Sequence, residues 1–372
     1  MDAELYNLSP VLRLLLVGIV LAAVPLLWVA LRHRRTDALG RYRALTVLTL
    51  FLSFDLVLFG AFTRLTDSGL GCPDWPGCYG SASPLGAQAA IATAQAAMPT
   101  GPVTHGKAWV EMVHRYLATG VGGLILVLAI TAWLGRKRFL QASGLSPWLP
   151  AFTLLWVCVQ GAFGALTVTM KLFPAIVSLH LLGAYLLLAL LTMQVVRLGS
   201  QAMAIPRWVR PWAGAALAML VLQAASGAWV STNYAVLACS EFPQCQGSWW
   251  PAMDFGGALE LWRPLGLSQD GEHISFQALT AIHFTHRLLA LCTVLLLGSL
   301  AWRLRVVPAL RGPMRWLGGL LLLQLATGLS NVVLDWPLVA AVLHTGGAGA
   351  LLVTLVWTLT LACSAAPIGT ET

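Results

Sequence analysis

Gly60-Ala61-Phe62-Thr63-Arg64-Leu65, followed by Cys72 and Cys78, returns later in the chain as Gly227-Ala228-Trp229, followed by Cys239 and Cys245. Each cysteine lies 167 positions beyond its counterpart, so the two copies match to the residue. Downstream, Glu111-Met112-Val113-His114-Arg115 is answered by His283-Phe284-Thr285-His286-Arg287. Gln160, Gly164 and His180 are answered by Gln324, Gly328 and His344, each 164 positions later. One unit is used twice, and each copy carries a cysteine pair followed by two histidines within apolar stretches. The repeat divides the chain into residues 1–43, a first half over 44–210 and a second half over 211–372.

The surroundings of these histidines are those of a membrane. Of the 372 residues 58% are hydrophobic and only 10% charged, and the mean hydropathy is +0.78. Runs of about 20 apolar residues read as membrane spans. Nine such stretches lie near 11–31, 44–64, 109–134, 147–168, 175–197, 212–232, 278–302, 316–334 and 338–361, leaving no room for a soluble domain. The expected fold is an all-α polytopic membrane protein made of two tandem four-helix bundles, with one extra N-terminal transmembrane helix. An even number of spans per copy gives both copies one orientation, related by a pseudo-twofold along the membrane normal.

The net charge of +8 is not a nucleic-acid footprint, because 15 of the 22 Lys and Arg fall in four alternate loops. They are Arg32, Arg34, Arg35, Arg41 and Arg43; Arg136, Lys137 and Arg138; Arg197, Arg207 and Arg210; and Arg303, Arg305, Arg311 and Arg315. The positive-inside rule places those loops in the cytoplasm, the acidic N-terminal tail (Asp2, Glu4) outside and the tail after Leu361 inside. Residues 1–31 lack the basic n-region and small-residue cleavage site of a secretory signal, so a retained span is expected. The lack of an Arg- and Ser-rich transit segment favours a bacterial inner (cell) membrane.

Four of the seven cysteines then lie in the long external loops 65–106 and 233–277. An oxidising compartment makes Cys72 with Cys78, and Cys239 with Cys245, candidate disulfides; free or metal-binding thiols are the alternative. Cys158, Cys292 and Cys363 read as small core hydrophobes. The Ala/Gln-rich segment from Leu85 to Met98 predicts a short helix on the outer surface.

Each of His114, His180, His286 and His344 lies shortly inside a span entered from outside. At about 1.5 Å per residue all four sit one to two turns below the outer surface. An ionisable group inside the bilayer is a functional candidate by default. Four imidazoles in matched pairs form the ligand set for two bis-histidine haems or two metal centres. With only two strong ligands per unit and small neighbours (Gly120, Gly122, Gly123, Gly183, Gly346, Gly347, Gly349), haem is favoured over a bare ion. Close helix packing is the other reading of those glycines.

Glu111 precedes His114 by three and shares its helical face. His283 stands there in the second copy. A carboxylate beside one site and an imidazole beside the other suggests that one site reacts and the other only transfers electrons. A boundary Glu reaching water is the alternative, and Asp55 is a weaker candidate without a counterpart. Arg115 and Arg287, and with them Arg64 and Lys107, are candidates either for haem propionates or for interfacial anchors. Most of the 16 Trp read as interfacial belts.

Gly60-Ala61-Phe62-Thr63-Arg64-Leu65-Thr66-Asp67-Ser68-Gly69-Leu70, the loop cysteine pairs, Glu111-Met112-Val113-His114-Arg115 and the histidines at 180, 286 and 344 together resemble the haem A synthase family, over about 44–361. That resemblance implies an eight-helix protein of two four-helix halves, which oxidises the C8 methyl of haem O to a formyl group and supplies haem A to terminal oxidases. It implies a substrate haem near His114 and His180 with Glu111 assisting, and a haem B (iron) cofactor on His286 and His344. It also implies a disulfide between Cys72 and Cys78. Expected partners are haem O, an electron donor the residues do not name, haem O synthase, terminal-oxidase assembly factors and the lipid bilayer. No nucleic acid is expected, and a homo-oligomer stays open. The extra first span and His283, an alternative ligand one turn from His286, depart from the pattern. By themselves the residues reach a di-haem membrane protein with one reactive half. A di-haem electron-transfer cytochrome b and a haem transporter or chaperone are the rival classes.

Overall fold

The computed structural model describes residues 9–199 and 205–364; Asp2, Glu4 and the tail after Ser364 lie outside the described residues. Among the described residues nine helices are long and apolar enough to cross a membrane. They are α1 Ser9–Arg32, α2 Ala38–Leu65, α3 His105–Gly135, α4 Trp148–Thr169, α5 Pro174–Gly199, α6 Val209–Thr232, α7 Phe276–Leu304, α8 Arg311–Val333 and α9 Leu338–Ser364. These coincide with the nine apolar stretches, and the described residues contain no strand beyond isolated bridges. The chain is an all-α, multi-pass membrane protein.

Helices are the required solution because hydrocarbon offers no partner to a backbone N–H or C=O. The polar side chains on α2 obey the same constraint: Thr46, Thr49, Ser53 and Thr63 each donate to the carbonyl four residues earlier. Both helices that follow the cysteine loops start on a hydroxyl cap. Thr104 accepts from Lys107 N at 3.2 Å to begin α3, and Ser275 accepts from Ala278 N at 3.1 Å to begin α7.

The chain forms two compact units, Met1–Leu172 and Phe173–Thr372. In the first, α3 is packed by α1, α2 and α4. Small residues bring α1 close: a Cβ on Gly120 would stand 3.1 Å from Leu21, and one on Gly123 would stand 3.3 Å from Ala22. Two of the glycines after His114 therefore serve helix packing, the alternative the sequence left open. The short helix expected between Leu85 and Met98 forms at Gln88–Ala97, where fully buried Ile91 meets Leu14, Cys72, Cys78 and Met112. Burying that one side chain is worth about 1.5–3 kcal/mol.

In the second unit α6 and α8 each pack against both α7 and α9. This places α7 and α9 diagonally across a four-helix bundle, the arrangement that presents side chains to one another in a core. Helix α5 joins the unit by packing on α6 and α9. Ser178 Oγ and Thr232 Oγ1 lie 3.1 Å apart, and Tyr185 OH donates to Thr345 O at 2.7 Å. The packing units thus divide between Leu172 and Phe173, whereas the sequence repeat runs through 44–210 and 211–372.

Candidate functional site

Both long cysteine loops are closed by disulfides, Cys72–Cys78 and Cys239–Cys245, each with a Cα separation of 4.9 Å. The loops are built alike. Cys78 bridges Ser81 as Cys245 bridges Ser248. Asp74 accepts from Tyr79 N at 2.6 Å and Gly80 N at 2.7 Å, and Glu241 accepts from Gly247 N at 3.0 Å. Gly80 and Gly247, at φ of +70° and +69°, occupy the left-handed region that lets each loop turn back. Asp74 and Glu241 escaped the sequence reading because a carboxylate in a loop resembles any solvated charge.

Arg115 and Arg287 tie these loops to the helices. Arg115 Nη1 donates to Asp74 O at 3.0 Å and Pro76 O at 3.2 Å, and it also reaches Gly77 O. Arg287 donates from Nη1 to Gln244 O at 3.1 Å and from Nη2 to Cys239 O at 2.8 Å. Gly77 and Gln244 are repeat counterparts, so the two arginines make the same contact. Of the candidates read from sequence, these two are seen holding loop backbone. Arg64 pairs with Asp67 at 3.3 Å, and Lys107 Nζ donates to Gly101 O at 3.1 Å.

One turn before each arginine the copies diverge. Glu111, only 3% exposed, forms an ion pair with Arg115 and accepts from Cys72 N at 2.8 Å. The carboxylate thereby joins helix, arginine and disulfide loop. It is a buried group with fixed partners, which sets aside the alternative of a boundary Glu reaching water. His283 takes the equivalent place, equally buried, and its Nε2 accepts from Arg287 Nε at 3.3 Å. That contact engages the Nε2 lone pair of His283.

His286 faces the bundle. A Cβ on Gly227 would stand 2.9 Å from its Cε1, and Ser226 Oγ lies 2.8 Å from its Nδ1. His344 repeats the arrangement on α9: a Cβ on Gly328 would stand 3.1 Å from its Cε1, and Thr327 Oγ1 lies 2.9 Å from its Nδ1. Gln324 Nε2 donates to His344 O at 2.9 Å. His286 and His344 lie on diagonal helices of the bundle. Two imidazoles, each with a glycine in place of a side chain beside the ring, suit a planar chelate that brings its own equatorial nitrogens. Among the described residues no group of three or more His, Cys, Asp or Glu gathers to cage a bare ion.

In the first unit His114 sits against Gly60, where a Cβ would stand 3.1 Å from its Nε2, and Phe59 stacks on it at 6.2 Å between ring centroids. His180 lies in the second unit, six residues past Pro174, the depth at which His344 follows Leu338. Its Nδ1 is buried with no hydrogen-bond partner among the described residues. Asp55 is half-buried on α2. Cys158, Cys292 and Cys363 are exposed free thiols, contrary to the core positions expected for them. Lipid-facing positions are as apolar as core ones, so composition does not separate the two.

Arg263 was not legible from sequence. It is 1% exposed in the second cysteine loop, donating to Asn233 Oδ1 at 2.6 Å, Leu267 O at 3.0 Å and Glu260 O at 3.1 Å, with Trp229 beneath it at 5.7 Å. Burial pulls its guanidinium below the ordinary value, and Glu260 opposes this.

Comparison with known proteins agrees with this architecture. A protein from Shewanella oneidensis named "Heme A synthase" is 39% identical over 83% of this chain and 93% of its own length. Proteins of the same name from Halalkalibacterium halodurans and Rhizorhabdus wittichii are 27% and 28% identical, covering 85% and 87% of this chain and 95% and 93% of their own. The model of the COX15-CtaA family, described as cytochrome oxidase assembly protein, matches residues 43–356. Matched over most of its length, with paired histidines in an all-helical membrane frame, the chain belongs to the COX15-CtaA family of cytochrome oxidase assembly proteins.

Proposed function

We propose that this chain is a haem A synthase, which oxidises the C8 methyl of haem O to a formyl group and so provides haem A for a terminal oxidase. The observation that carries the reading is the asymmetry between two otherwise matched modules. Glu111 stands beside Arg115 and the Cys72–Cys78 loop, where the other copy has His283. Electron transfer alone requires no such difference.

The second unit is assigned the resident haem B, whose iron His286 and His344 would hold. Their glycine-flanked rings on diagonal helices support this, and His283 is set aside because its Nε2 is engaged by Arg287. Bound there, the haem supplies one-electron transfer to or from the reacting half. The repeat pairs His114 with His180 as ligands of the substrate haem. Glu111 is assigned the proton and charge handling beside the substrate methyl, since a buried carboxylate can hold a water or take a proton where an imidazole adds no negative charge. The Glu111–Arg115 pair fixes where that carboxylate points. With the basic loops in the cytoplasm, the cysteine loops and both haem sites lie toward the outer face of a bacterial cell membrane. An electron donor, haem O synthase and oxidase assembly factors are the partners this reaction calls for.

Extraction and mass analysis of pigments from the purified protein tests the reading. Haem B together with haem O or haem A is expected. Haem B alone would point to an electron-transfer cytochrome, and unmodified haem O released intact on incubation with donor and oxygen would point to a carrier.

A further inference from the structure

Helix α1 stands outside both copies of the repeat and outside residues 43–356, the span matched by the family. Its buried positions, Pro10, Leu14, Gly18, Ala22 and Val29, recur every four or seven residues and so lie on one face. That face is fitted to α3. A Cβ on Gly18 would run into the Thr119 side chain, and Gly120 and Gly123 on α3 admit Leu21 and Ala22. In the repeat register Thr119, Gly120 and Gly123 correspond to Leu291, Cys292 and Leu295 on α7. Those three are exposed, the leucines by 58% and 64%. The second copy thus presents exposed, bulkier side chains on the helix face that the first copy hollows out for α1.

The first turns of α1 reach the Cys72–Cys78 loop. Leu14 packs with Cys72, Cys78, Ile91 and Met112, and a Cβ on Gly77 would meet that of Pro10 at 3.5 Å. Helix α3 holds the same loop by hydrogen bonds. Arg115 donates to Asp74 O, Pro76 O and Gly77 O, Tyr116 OH donates to Ala82 O at 2.7 Å, and Glu111 accepts from Cys72 N at 2.8 Å. Both cysteines are 0% exposed. In the second copy Cys239 and Cys245 are covered from within the repeat, by Phe284 and Met253.

We propose that α1 is a strap for the first copy alone, which presses the Cys72–Cys78 loop onto α3 and so keeps the Glu111 carboxylate seated on Cys72 N. Leu14 and Gly18 are its positioning residues. The consequence for catalysis rests on the role given to Glu111 in the proposed reaction; the strap itself rests on the packing.

A thiol reaches a buried disulfide only when its cover opens locally, so the reduction rate reports on that cover. Full-length protein in detergent is treated with dithiothreitol, and each disulfide is followed by thiol labelling and peptide mapping. Leu14→Ala removes the contact, and Gly18→Leu pushes α1 off α3. Each should speed reduction of Cys72–Cys78 about tenfold or more. Cys239–Cys245 should keep its wild-type rate in both variants and serves as the control for folding. Leu14→Met, which refills the contact, should behave as wild type. An unchanged Cys72–Cys78 rate in Leu14→Ala and Gly18→Leu would overturn the proposal, as would equal acceleration of both disulfides, which would mean general loosening. Haem A yield should fall in the same two variants while haem B is retained. A wild-type yield there would overturn the link to Glu111 if Glu111→Gln lowers the yield; if Glu111→Gln leaves it unchanged, the proposed reaction fails instead.

Discussion

The two copies use one tether and put different chemistry at its end. Arg115 and Arg287 share one hydrogen bond to the matched place in their disulfide loops, to Gly77 O and Gln244 O, and each holds further loop carbonyls of its own. The residue one turn earlier is Glu111 in one and His283 in the other. Around the histidines the contrast runs the other way: hydroxyls orient His286 and His344, while phenylalanine occupies both matched positions in the first copy. The polar groups are thus allocated differently. In the first copy a carboxylate sits beside the arginine, and in the second hydroxyls contact the histidine rings. Duplication supplies the frame, and a few substitutions at fixed points divide the labour.

The largest effect expected from breaking this arrangement is at the ligands. His286→Ala or His344→Ala should abolish the low-spin cofactor spectrum, since each removes an axial ligand from a buried iron. A normal bis-histidine spectrum in both variants would contradict the assignment. His283→Ala should keep the spectrum; loss of haem in that variant alone would make His283 the ligand.

Next come the tethers. Arg115→Ala strips a buried carboxylate of its partner, a change that costs about 3–5 kcal/mol. Arg287→Ala removes charged hydrogen bonds to carbonyls but strands no charge, at about 1.5–3 kcal/mol. Denaturation of the two variants in parallel should rank Arg115→Ala as the more damaging, and the reverse order would mean that Glu111 and Arg115 are not a coupled pair. The smallest perturbation is chemical labelling of denatured, unreduced protein, which should modify Cys158, Cys292 and Cys363 only. Modification of loop cysteines in protein from an oxidising compartment would remove the disulfide tethers from the account.

Most of the fold was legible because bilayer-length apolar runs admit one secondary structure, and the repeat brought the histidines and cysteine pairs into register. The jobs of Arg115 and Arg287 were not legible, because their partners are backbone carbonyls that no sequence names. Ser226 and Thr327 looked like the helix-bonded hydroxyls common in membranes, which they also are. The role of α1 stayed unassigned until Gly120 and Gly123 were seen facing Leu21 and Ala22. Helix α5 counts with the first half by sequence but packs with the second unit, because its contacts with α6 and α9 are tertiary facts.

The most direct test of a division between a reacting copy and a holding copy is the pigment content of Glu111→Gln. Glutamine retains an acceptor for Cys72 N and the side-chain shape while removing the negative charge. The variant is expected to carry haem B in wild-type amount, to accumulate haem O or a partly oxidised form of it, and to yield little haem A. Haem A at near wild-type yield would contradict the account, because the charge that distinguishes the two arginine tethers would then play no part in the reaction.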